Sequence, residues 1–111
     1  MVNSRQKGAR GEREVAKILR DHGIDSRRTA QYCGNTGDAA DVVFPGFHTE
    51  VKLREKTDIW SWWSQSEHDT KEDETSLVVF RKSREKWKVC LDFEEFLDLI
   101  GHPLQLPFDD N

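Results

Sequence analysis

The chain has 111 residues, of which 35% are hydrophobic and 34% charged, with six Phe, four Trp and a formal net charge of -4. This length supports one hydrophobic core and excludes two separate ones, and the aromatic content excludes a disordered chain. The net sign argues against a polyanionic partner, yet residues 1–37 hold eight basic against four acidic residues and the remainder nine against seventeen, an asymmetry of the kind found on nucleic-acid-facing surfaces.

The start, Met1-Val2-Asn3-Ser4-Arg5, has no apolar stretch, and the longest hydrophobic run is Leu77 to Phe80. Neither a secretory nor a membrane-spanning segment is therefore expected, and the protein is placed in the cytoplasm. Cys33 and Cys90 lie outside any zinc-like spacing and read as free thiols.

Taken in order, residues 8–22 space Val15, Ile18 and Leu19 as the apolar stripe of a helix that stops at His22-Gly23. Residues 24–30 are extended, residues 31–38 form a glycine-containing loop, and Ala39 to Phe44 is a strand. Pro45-Gly46 turns the chain into a second strand, His48 to Arg54, so that a hairpin forms with Glu50 and Lys52 on one face and Val51 and Leu53 on the other. Thr57 or Asp58 caps a second helix running to about Glu67, with Ile59, Trp60 and Trp63 toward the core and Trp62 turned elsewhere. His68 to Thr75 is an exposed acidic loop, followed by strands at 76–82 and 86–91. Asp92 and Glu95 form a capping-box pair at the start of a last helix, which ends at Gly101 and offers Phe93, Phe96, Leu97 and Ile100 to the core. A single domain over 1–111 is expected, with its core at about 5–101 and a tail at 102–111.

The chemistry is concentrated on the hairpin. Asp41 on one arm faces Glu50-Val51-Lys52 on the other, and antiparallel pairing brings two carboxylates and a lysine together. Paired carboxylates suit a hard cation such as Mg²⁺, and Lys52 can orient a water or oppose phosphate charge. The acid-x-Lys triplet alone is weak, since about 1.5 are expected by chance in this composition, and Asp69-Thr70-Lys71 is a second one. Asp41 is the stronger signal because it interrupts an otherwise apolar strand, and a carboxylate there needs a partner. On the first helix, Glu12 lies near the core-facing stripe while Arg13 projects away.

Four segments, Lys7-Gly8-Ala9-Arg10-Gly11-Glu12-Arg13-Glu14, Arg28-Thr29-Ala30, Ala40-Asp41-Val42 and Glu50-Val51-Lys52, resemble the PD-(D/E)xK nuclease superfamily, and within it the Holliday junction resolvases of archaea and bacterial viruses. The likeness spans residues 5 to about 91. Residue 40 is Ala where the superfamily's name has Pro, which affects a turn and not a ligand.

The resemblance implies an α/β (α+β) fold with a restriction-endonuclease-like core: a central mixed five-stranded sheet flanked by helices, in the order αβββαββα. It implies Glu12, Asp41, Glu50 and Lys52 as catalytic residues. Asp41, Glu50, the Val51 carbonyl and Glu12 would hold Mg²⁺, with Mn²⁺ able to substitute. Arg13 and Arg28 are similar to arginines that contact the DNA backbone, and Thr29 holds a position often occupied by serine; Arg5, Lys7, Arg10 and Arg27, close to these carboxylates in sequence, would contact DNA phosphates as well, and the Trp60, Trp62, Trp63 and Gln65 cluster resembles segments of viral relatives. The implied protein is a virus-type homodimer, acting in the host cytoplasm, that resolves four-way DNA junctions by paired phosphodiester hydrolysis. The alternatives are the same nuclease acting on flaps, nicks, duplex or ends, and a non-catalytic DNA-binding module.

Overall fold

The computed structural model describes residues 4–29 and 41–101, with side chains from residue 7 onward. The loop expected at 31–38, Ala39 and Ala40 of the first hairpin arm, Cys33, the Arg5 side chain and the tail from 102 lie outside the described residues. Helix α1 (Ser4–Asp21) leads into β1 (Arg27–Arg28), β2 (Val42–Phe44) and β3 (Phe47–Leu53). Helix α2 (Ile59–Asp69) is followed by β4 (Thr75–Arg81), β5 (Lys88–Cys90) and α3 (Phe93–Ile100). The strands form one sheet in the order β1-β2-β3-β4-β5, in which only the β3–β4 pair is parallel. The expected αβββαββα mixed sheet is therefore the fold. The parallel pair follows from α2, because a strand returning beside its predecessor in the same direction needs a crossover element.

Strand alternation sorts the side chains of β3 between two helices. Thr49, Val51 and Leu53 face α1, where Val15, Ala16, Val42 and Val51 make the buried core and Leu19, Val79 and Trp87 pack against it. His48, Glu50 and Lys52 share the other face with Ser76, Val78 and Phe80 of β4, their register partners. There Trp62 of α2 lies 5.9 Å from Phe80, centroid to centroid. The hairpin turn at Pro45-Gly46 is present, with Gly46 at φ +86°, a conformation that glycine adopts without strain.

Helix α1 sits close on the sheet because of Gly11. A Cβ at that position would lie 3.3 Å from Leu53 Cβ and from Trp87 Cη2, and 3.4 Å from Val51 Cγ1. The missing side chain lets the helix descend onto β3, and this carries the neighbouring Glu12 into the protein, where it is 5% exposed. A clamp holds the same helix at its flank. Glu14 Oε1 accepts hydrogen bonds from Arg81 (2.8 Å) and Trp87 Nε1 (3.2 Å), and the Arg81 guanidinium stacks 4.9 Å from the Trp87 ring centroid.

Several expectations are corrected. Trp62 is the buried tryptophan of α2 and Trp60 is 80% exposed, the reverse of the expected orientation. The inner stripe of α2 is Trp62, Ser66 and Asp69, in which small and polar residues replace the apolar ones that a pattern search follows. Helix α2 also runs two residues past Glu67, so the expected loop at 68–75 is partly helical. Asp58 holds the N-cap position of α2 and Asp92 that of α3, neither with a side-chain cap bond. Glu95 instead accepts from Thr75 Oγ1 at 3.4 Å. Phe93, Phe96, Leu97 and Ile100 are all exposed, so α3 does not supply core. Ile18 is likewise outside the α1 core stripe. Among the described residues, no helix is long and apolar enough to cross a membrane.

Candidate active site

Asp41 stands immediately before β2, where its N–H donates to Thr49 O at 2.9 Å and extends the β2–β3 ladder by one step. The register that pairs Val42 with Thr49 sets Asp41 opposite Glu50. Its Oδ2 accepts the Val51 N–H at 2.9 Å, which aims the carboxylate across the hairpin. Burial pushes the Asp41 carboxyl up to about 7, and the nearby charges of Glu50 and Glu12 add to the shift against the Val51 hydrogen bond and the charge of Lys52. Three carboxylates, from α1, the entry to β2, and β3, are thus within electrostatic reach of one another. The dry setting makes their mutual repulsion costly.

Each acid is held differently. Glu12 Oε1 receives both Nε and Nη2 of Arg28 at 3.1 Å. Glu50, 3% exposed, accepts from His48 Nε2 through Oε2 at 3.1 Å; a carboxylate has no proton to offer, so the imidazole is the donor. His48 is itself 2% exposed, with Nδ1 4.0 Å from Glu74 Oε1. Burial alone would lower the His48 pKa, but the Glu50 hydrogen bond and the charges of Glu50, Glu74 and Asp69 outweigh it and hold it above the ordinary value. Lys52 follows Glu50 on the same strand face, half-buried, and its charge acts on Asp41.

The sequence-derived site residues therefore divide. Glu12, Asp41, Glu50, Lys52 and the backbone of Val51 converge. Arg28 joins them as the counter-ion of Glu12. Thr29 is buried, and its N–H donates to Asp41 O at 3.2 Å, tying β1 to the site's backbone. Lys7 pairs with Glu55 and Arg10 with Glu14, each at 3.3 Å. Arg13 and Arg27 are exposed, and Gln65 lies on the exposed side of α2.

Sequence reasoning missed His48, Asp69 and Glu74. The signal for His48 was the strand alternation that already paired Glu50 with Lys52, extended one step back. Asp69 and Glu74 were not legible, because only the α2 crossover brings them beside β3. His48, Glu50 and Asp69 each place one potential ligand atom within 4.8 Å of the others.

Asp41, Glu50, Glu12 and the Val51 carbonyl would offer oxygen atoms alone, a chemistry that suits a hard divalent cation. Burial first, and the charges of Glu50 and Glu12 after it, raise the Asp41 pKa, and a bound cation would offset those charges.

A family described as "Phage putative PDDEXK endonuclease" matches residues 3–105. Among solved structures, the chain is similar to Hjc from Archaeoglobus fulgidus, a Holliday junction resolvase from an archaeal hyperthermophile. The two share 20% identity with a TM-score of 0.55, over 77% of this chain and 72% of that one. No curated protein matches the sequence significantly.

Proposed function

Since the chain belongs to the phage PDDEXK endonuclease family, we propose that it is a divalent-metal-dependent DNA endonuclease that resolves four-way junctions. The observation that carries this is the convergence of Glu12, Asp41, Glu50 and Lys52, with the Asp41 carboxyl pushed up to about 7 by burial and by the charges of Glu50 and Glu12. The archaeal resolvase with the same fold supports the choice of substrate.

Asp41, Glu50 and the Val51 carbonyl are assigned to Mg²⁺ or Mn²⁺, with Glu12 binding a second ion or an outer-shell water. When bound, the metal supplies an activated water and neutralises charge developing on the phosphate. The remaining work falls to the chain itself. Val51 N–H orients Asp41, and Arg28 holds Glu12. The Lys52 ammonium positions the attacking water beside the scissile phosphate and opposes its charge. Exposed Arg13 and Arg27 contact backbone phosphates, with Lys7 and Arg10 exchanging their surface ion pairs for phosphate and Arg5 extending the same basic stretch. Such contacts position the duplex without reading bases, so junction shape is what the protein selects. Two opposed strands must be cut, which calls for a two-fold homodimer with two sites. The whole chain is assigned to this one nuclease unit.

Incubation with a four-way junction, linear duplex, flap and single strand, each with Mg²⁺ or EDTA, tests the substrate. Symmetric paired nicks in the junction alone are expected. Equal cutting of linear duplex would overturn junction selectivity while leaving the nuclease intact.

A further inference from the structure

Beneath Glu50 lies a buried relay that the metal-site assignment does not use. His48 and Glu50 are two residues apart on β3 and therefore on the same face. A strand rise of about 3.3 Å per residue leaves the gap that an imidazole leaning along the strand spans. Its Nε2 meets Glu50 Oε2 at 3.1 Å, with 2% and 3% of the respective side chains exposed. Water has almost no access to compete for either group. Behind the ring, Glu74 Oε1 lies 4.0 Å from Nδ1, and the charge of Asp69 also bears on the imidazole. The ring therefore receives a hydrogen-bond partner from its own strand and faces acidic charge from the end of α2 and the α2–β4 connection.

We propose that His48 is a positioning residue for the metal site: its Nε2–H fixes one oxygen of Glu50, so that the carboxylate is pre-set to bind the cation held with Asp41. The proposal rests on the assignment of Glu50 as a metal ligand. It does not depend on the charge of the imidazole, because Nε2–H is present in the cation and in the matching neutral tautomer. Hydrogen bonds that orient a ligating carboxylate commonly change metal affinity by about 10–100-fold. His48 is thus expected to set how much metal the enzyme needs and to leave the chemistry at saturation largely unchanged.

Two polar replacements separate positioning from folding. The amide of His48→Gln reaches the place of Nε2, whereas the shorter His48→Asn reaches only that of Nδ1. Mn²⁺ is titrated into each protein without DNA and free ion is followed by electron paramagnetic resonance; Mg²⁺ dependence of cleavage is measured alongside. His48→Asn should weaken Mn²⁺ binding about tenfold or more, raise the half-saturating Mg²⁺ to match, and recover most of kcat at high Mg²⁺. His48→Gln should stay within about threefold of the parent protein. Unchanged binding in His48→Asn overturns the proposal, as does equal loss in both variants. Nitrogen hyperfine coupling to bound Mn²⁺ would make His48 a direct ligand and overturn it too. Asp41→Asn serves as the reference: if it binds Mn²⁺ like the parent, the metal-site assignment itself falls. If Asp41→Asn loses binding while His48→Asn does not, only the role of His48 falls.

Discussion

Replacing Asp41 by Asn should make the metal-free protein more stable at neutral pH while abolishing its cleavage of DNA. The substitution removes a negative charge from beside Glu50 and Glu12 but keeps an oxygen that can accept the Val51 N–H. The folded carboxyl titrates at about 7 against an ordinary 3.8, a difference of roughly three pH units worth about 1.4 kcal/mol each, so the ceiling is about 4 kcal/mol. Partial exposure of Asp41 and relaxation of its neighbours reduce this to about 2 kcal/mol, or about 8 °C in Tm for a domain of this size. The sign follows from linkage. The folded state binds this proton more tightly than the unfolded chain, so the parent protein loses stability as pH rises from about 4 to about 7, and the variant lacks that loss. Thermal melts in EDTA at pH 5 and pH 8 read the effect. Asp41→Asn should melt well above the parent at pH 8, with the gap closing toward pH 5. An unchanged or lower Tm at pH 8 would show that the carboxylates do not repel and would refute the electrostatic picture of the site.

Other outcomes follow from the same geometry. Glu14 has its pKa held down because the hydrogen bonds from Arg81, Trp87 and Arg10 outweigh the opposing effect of burial. Its stabilisation is present above the unfolded value of 4.5 and is lost as pH falls below it, so Glu14→Gln should flatten the acid limb of a Tm–pH curve. Gly11→Leu forces a side chain against Leu53, Val51 and Trp87; it should cost about 1–3 kcal/mol in urea unfolding and cut activity further by lifting Glu12 away. Lys52→Met should lower kcat by about 100-fold or more while Mn²⁺ still binds, as measured by single-turnover cleavage and metal titration. Arg27→Ala should reduce the salt slope of junction binding by about one, whereas Arg28→Ala, which strips the counter-ion from buried Glu12, should also lower Tm.

The hairpin was legible because its chemistry is local. Two-residue alternation placed Glu50 and Lys52 together, Pro45-Gly46 set the turn, and an acid inside an apolar run singled out Asp41. Glu12 was legible from helical spacing, although the depth of its burial comes from Gly11, whose role appears only against β3. Long-range pairings were not legible. The pairing of Arg28 with Glu12 is one, because nothing in the sequence near Arg28 announces an acid sixteen residues earlier. The tryptophans of α2 inverted because burial there follows the crossover geometry and a small buried Ser66, not hydrophobicity. In α3 the apolar stripe is real, but a stripe does not state what it packs against, and the described chain leaves it exposed.

Asp41 and its neighbouring acids are expected to run a metal-dependent cut in DNA. A 5′-labelled four-way junction, incubated with the parent protein or Asp41→Asn and with Mg²⁺ or EDTA, tests it on one denaturing gel. Discrete products should appear with the parent protein and Mg²⁺, and be absent with EDTA and with the variant. Cutting that persists in EDTA or in Asp41→Asn, or no cutting of any DNA with either Mg²⁺ or Mn²⁺, would show that these acids do not form a metal-dependent nuclease site.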